Sequence, residues 1–107
     1  MYGDVLPLPS FGFTADVLHW RGPSPYFFLV LPPDLAEEVR DAARAVTYGW
    51  GMIPVEAVIG EAAFQTSLFP KDGTYYLPLR DAVRLKADIA IGDRVTVEMT
   101  VVPRRKR

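Results

Sequence analysis

The sequence predicts a mainly β protein: a small six-stranded β-barrel with one cover helix and one short helix, in the order ββαβββαβ. Three observations predict it. Six stretches show period-two alternation or short dense apolar runs, the marks of strands. Only two stretches show helical spacing. Six strands and two helices within 107 residues favour a sheet that closes on itself, because closure removes exposed edges. An open sheet with both helices on one face is the alternative.

The first strand spans Phe11 to Trp20. Phe11, Phe13, Ala15, Val17 and His19 fall on one face, and Thr14, Asp16 and Leu18 on the other. Arg21-Gly22-Pro23-Ser24-Pro25 is a turn by composition. Tyr26 to Leu31 is continuously apolar, as in a strand covered on both faces. Pro32 and Pro33 stop it. Asp34 followed by Glu37 fits a capping-box-like helix start. Leu35, Val39, Ala42 or Ala43, and Val46 then recur at helical spacing, which predicts a cover helix over about Leu35–Val46.

Thr47-Tyr48-Gly49-Trp50-Gly51-Met52 sets a tryptophan between two glycines, which supply backbone freedom or close approach. Trp50 is expected to plug one end of the core, with a place in a ligand site as the alternative. Ile53, Val55, Ala57 and Ile59 alternate with Glu56 and Val58 in the next strand. Gly60-Glu61 is a two-residue hairpin turn. The return strand runs from Ala62 to Phe69 and ends at Pro70, and Lys71-Asp72-Gly73 forms a loop tip. Thr74 to Leu79 is a strand, and Pro78 within it must lie at an edge or bulge, since proline donates nothing to a ladder.

Arg80 to Ala87 reads as two helical turns with Val83 and Ala87 on one side. Ile89 and Ile91 are expected to follow inward. After the Gly92-Asp93 turn, Val95, Val97, Met99 and Val101 alternate with Arg94, Thr96, Glu98 and Thr100 in the most regular strand of the chain. One domain is expected over residues 1–107, with 1–10 as a lead-in and 103–107 as a basic tail.

Composition narrows the chemistry. Half the residues are hydrophobic and 23% charged, as in a globular chain. There is no cysteine, which removes disulfides, thiolate nucleophiles and cysteine-bound metal. Asp4, Pro7 and Pro9 interrupt any export signal, and no apolar run approaches the ~20 residues of a membrane helix. A cytoplasmic protein with no membrane contact is expected. The net charge of −1 hides an asymmetry. With Arg104, Arg105, Lys106 and Arg107 set aside, eight Lys and Arg face 13 Asp and Glu, a net of −5. An acidic body repels phosphates, so nucleic acid is an unfavoured partner. The tail reads as a solvated terminus, with a polyanion contact as the alternative.

Several short pieces occur together: Gln65-Thr66-Ser67-Leu68-Phe69-Pro70, then Tyr76-Leu77-Pro78-Leu79-Arg80, Ala82-Val83-Arg84 and Ile91-Gly92-Asp93-Arg94-Val95-Thr96-Val97. Phe13-Thr14-Ala15, Phe28-Leu29-Val30-Leu31-Pro32 and Ile53-Pro54-Val55 precede them. In that order and spacing they resemble a bacterial and archaeal small-barrel family of unknown function. That family often stands ahead of a helical module of the YdeI/OmpD-associated, bacteriocin-protection type. The resemblance runs from about Phe11 to Val102. It implies a six-stranded barrel and no catalytic residues. This chain stops at Arg107, so the partner module is not expected here.

His19 is the only histidine. No serine–acid arrangement surrounds it in sequence, and Gly-x-Ser-x-Gly is absent. It reads as a barrel-mouth residue. A histidine metal cluster is excluded by count, and phosphate-loop, dinucleotide, EF-hand and zincin patterns are missing, so no cofactor or metal is expected. Ser67, Arg80 and Arg84 form the most suggestive polar set. Arg80 and Arg84 lie four apart, and on a helix they would share a face and could grip a carboxylate or phosphate. They could equally pair with Asp81, Asp88 or Glu56. Asp93 reads as a turn residue bonding its own neighbourhood. The aromatics are not interleaved with Lys or Arg, which weakens a single-strand nucleic-acid platform.

The expected function is a noncatalytic barrel that binds a small molecule or short peptide near its mouth. His19, Trp50, Ser67, Tyr76 and Arg84 are the candidate lining. A protein-interaction or homo-oligomerising module, using a strand edge or the Tyr26–Leu31 surface, is the alternative. An enzyme is the weaker reading, since no acid–base pair can be named.

Overall fold

In the computed structural model, residues 8–21 and 26–103 are described. Residues 1–7 of the predicted 1–10 lead-in, 22–25 of the predicted 21–25 turn and 104–107 of the predicted 103–107 basic tail lie outside them. Seven antiparallel strands follow one another around a curled sheet. Ser10–Asp16 (β1) pairs with Arg94–Val101 (β7), which pairs with Ile53–Ile59 (β4), and then Ala62–Lys71 (β5). Next come Thr74–Leu79 (β6), Tyr26–Val30 (β3) and Leu18–Trp20 (β2).

The predicted first strand, Phe11–Trp20, is therefore two strands, and the count is seven instead of six. The chain breaks at Val17, whose N–H bonds the Asp93 carbonyl at 2.8 Å and whose carbonyl accepts from Gly92 N–H at 3.1 Å. Those bonds take Val17 out of both ladders. Before it the chain pairs with β7, and after it with β3, so the two ends of the curled sheet are consecutive pieces of one segment. β5 turns the opposite corner. Ala62–Leu68 pairs with β4, and Phe69–Lys71 pairs with β6. Strands that pass from one sheet to another in this way make the corners of orthogonally packed sheets. Val17 and Leu68 are both buried at these corners.

The inner face is filled by side chains. Phe13, Leu29, Leu31, Ile53, Val55, Leu68, Leu77, Val97 and Met99 belong to one buried cluster, the packed interior expected of a small barrel. Alternation along β1, β4 and β7 puts the predicted residues inward. Ile89 is buried as expected, but Ile91 is exposed on the turn before β7.

The cover helix, Pro33–Ala42 (α1), packs on β6 through Ala36 and Val39. Pro32 is its cap, with no side-chain cap bond, and Pro33 opens its first turn. Proline there is already set to a helical φ and lacks an N–H that would go unbonded. Asp34 thus stands inside the first turn and is not the predicted cap. The helix also ends four residues before the predicted Val46. The Ala43 carbonyl accepts from Val46 N, Thr47 N and Thr47 Oγ1 at 2.8–3.0 Å, closing tighter turns. The short helix, Asp81–Ala87 (α2), lies against β5 and buries Val83. Asp93 bonds its own turn as expected, Oδ2 accepting from Ala90 N at 2.9 Å.

Candidate functional site

Two hairpins and one corner create a cleft. Gly60-Glu61 joins Ile59 to Ala62, as predicted. Asp72-Gly73 joins Lys71 to Thr74, both with positive φ (54° and 80°), the mark of a hairpin turn that matches strand twist. Beyond that turn β5 and β6 pair only as far as Phe69↔Tyr76. From Leu68 backwards β5 belongs to β4, while Leu77 and Pro78 pair only with β3. Pro78 therefore sits at a local edge, which reconciles a proline with an interior strand. Where the strands part, an open cleft of about 430 Å³ is lined by Tyr48, Met52, Gln65, Thr66, Ser67, Phe69, Pro78 and Arg80.

A tight hairpin walls this cleft. Tyr48 and Met52 bond each other through both backbone groups, at 2.9 and 2.8 Å. Gly49 and Gly51 take φ of +56° and +96°. At Gly51 a Cβ would come within 3.2 Å of Pro70 Cγ, so the loop lies against β5. Trp50 stands at the tip, 93% exposed. It is not a core plug, because the two glycines turn the chain outward there. Below the tip, Tyr48 Oη and Ser67 Oγ lie 2.6 Å apart in a hydroxyl–hydroxyl bond.

An aromatic face adjoins the cleft through Phe69. Phe28, Phe69 and Tyr76 meet with ring centroids 5.4–5.5 Å apart, and Tyr26 joins Phe28 at 5.8 Å. Trp20 pairs across from Tyr26, with Lys71 Nζ 4.6 Å from its ring centre. Trp20 and Tyr26 remain 44% and 53% exposed. Tyr76 donates its hydroxyl to Asp72 Oδ2 at 2.7 Å. That bond, then burial, then the Asp72 charge raise the phenol above its ordinary value. The outer face of β1 and β7 is different: Ser10 bonds Thr100 and Thr14 bonds Thr96, while Asp16 pairs with Arg94.

The five predicted lining residues fall in separate places. Ser67 lines the cleft. Tyr76 lies beside it, in contact with Phe69. His19 and Arg84 share the Phe27 ring near the start of β3: His19 stacks on it at 4.7 Å, and the Arg84 guanidinium lies 3.7 Å from its centre. Arg84 also pairs with Asp81, and its Nε is buried without a hydrogen-bond partner. Trp50 stands apart at the hairpin tip. Arg80 and Arg84 do not share a helical face, because Arg80 is the extended cap residue of α2. Sequence reasoning missed Tyr48, Met52 and Phe69 as lining. Tyr48 and Met52 flank Gly-Trp-Gly, a spacing that signals a hairpin and could have placed them side by side.

Two further grooves, of about 480 and 330 Å³, run along β4 and β5 and share Glu56 and Gln65. Gln65 already donates to Glu56 at 3.0 Å. Among the described residues no three His, Asp or Glu gather as a metal site, and no helix is long and apolar enough to cross a membrane. The model of one protein family, a domain of unknown function (DUF1905), matches residues 13–99. No curated protein matches the chain.

Proposed function

Since this chain belongs to the DUF1905 family, a domain of unknown function, we propose that it is a noncatalytic binding module for a small molecule or short peptide. The ligand enters the cleft between β5 and β6 and extends over the neighbouring aromatic face. One observation carries this reading. The interior is filled by its own side chains, while hydroxyl, guanidinium and aromatic groups collect on one outer side. Concave surfaces with a few polar groups among aromatic ones are the usual ligand sites. Ser67 is bonded to Tyr48 and His19 is stacked on Phe27, an arrangement suited to binding rather than to a nucleophile with its base. The proposal takes the domain as a cytoplasmic relative of the bacterial and archaeal barrels that precede a bacteriocin-protection module.

A thermal-shift screen of the purified chain against metabolites, short peptides and oligonucleotides tests it. A ligand at ~100 times its dissociation constant stabilises a fold by about 2.7 kcal/mol. The expected result is a shift from a small molecule or peptide that Phe69→Ala and Tyr48→Phe reduce. A ligand whose shift survives both substitutions would place the site elsewhere.

A second reading rests on the exposure of Trp20 and Tyr26 on one face of β2 and β3. That face suits a protein partner or a second copy of this chain. Sedimentation across a wide concentration range distinguishes them: a strict monomer removes self-assembly.

A further inference from the structure

Arg80 is a cation that the fold leaves unspent beside a cleft. Of the other described arginines, Arg44 pairs with Asp41, Arg84 with Asp81 and Arg94 with Asp16. Arg40 lies over the Tyr75 ring. The Arg80 side chain has no ion pair, hydrogen bond or ring contact among the described residues. Yet it lines the cleft together with Tyr48, Ser67, Phe69 and Pro78. No carboxylate lines the cleft with it.

The hydroxyl pair adds a donor. Either hydroxyl can donate across the 2.6 Å Tyr48–Ser67 contact, and the phenol, as the stronger acid, is the better donor. With Tyr48 donating, Ser67 keeps its own hydrogen for another acceptor. One free guanidinium and one alcohol hydrogen together match a planar, singly charged anion. A guanidinium holds a carboxylate through two parallel N–H bonds. A phosphate dianion would ask for a second cation, and Arg84 is held by Asp81 and Phe27. Met52, Phe69 and Pro78 supply apolar surface for the rest of the ligand.

From these placements we propose that the cleft recognises a carboxylate borne on an apolar or aromatic body, with Arg80 as its anchor and Ser67 as the second donor. The inference rests on the binding-module reading and names its ligand class. A free carboxylic acid and a peptide C-terminus share this chemistry.

The test uses the full chain and NMR amide shifts. The probes are benzoate, its neutral analogue benzamide, and a tetrapeptide ending in phenylalanine, as free acid and as amide. Benzoate or the free-acid peptide should shift the amides of Thr66, Ser67, Phe69 and Arg80. Arg80→Gln should weaken that binding at least tenfold and Ser67→Ala several-fold, with the remaining spectrum unchanged. Tighter binding of the free-acid peptide than of benzoate assigns the source as a chain terminus, and the reverse order assigns a small acid. If benzamide or the amidated peptide shifts the same residues as strongly as its acid partner, the carboxylate inference is overturned and the binding module stands. If no probe reaches the cleft, the inference is likewise overturned, and the broad screen alone then decides the wider reading.

Discussion

Tyr76 shows how one side chain ties a turn to the aromatic face. Its hydroxyl donates to Asp72, and Asp72 holds a left-handed backbone in the hairpin turn. The bond requires the phenol to be protonated, and it raises the phenol's pKa. In the unfolded chain the phenol ionises near its ordinary value of about 10. The stabilisation is therefore complete below that value and is lost as pH rises through the higher, folded one. Urea unfolding of the native chain and Tyr76→Phe should show a gap at neutral pH that closes in alkali. A gap that widens there would overturn the assignment. At this scale the sequence showed residue types better than their company. Ser67 and Arg80 were visible as polar candidates, and the cleft joins them. Tyr48 was not, because its bond to Ser67 spans 19 positions. Arg84 looked like Arg80's partner only while both were read as helical. The extended backbone of Arg80 sends the two apart.

Elements follow local rules until a distant contact overrides them. The turns at Gly60-Glu61 and Asp72-Gly73 were readable because their chemistry is local. The end of α1 was not, since the bonds on the Ala43 carbonyl stop the helix while the apolar spacing continues to Val46. The break at Val17 was also hidden: its pattern is unbroken, and the partners that bend it are Gly92 and Asp93. The hairpin around Trp50 depends on two positive φ angles and on the closeness of Gly51 to Pro70. Gly51→Ala should destabilise the protein by about 1–3 kcal/mol through backbone strain, measured by chemical denaturation. The Tyr48–Ser67 bond should loosen with it, since both sit on that wall of the cleft.

Two segments that change partners turn the corners of the whole molecule, a curled sheet whose end strands β1 and β2 do not pair with each other. Leu68 stands at one such corner with no solvent exposure. Leu68→Ala should cost roughly 2–5 kcal/mol, the usual range for a buried leucine, a large share of the ~5–15 kcal/mol that holds a domain together. Leu85→Ala on the exposed side of α2 should change little by the same denaturation measurement. The pairing of β1 with β7 has another consequence. Ser10 faces Thr100 as a direct antiparallel partner, so the polypeptide enters and leaves the barrel about 5 Å apart. A host protein could carry this domain within a surface loop and scarcely feel the insertion, and the ends could be joined and the chain reopened elsewhere. A circular permutant linking Leu8 to Pro103 and cut between Asp72 and Gly73 should fold to the same strand order, as its amide spectrum would reveal.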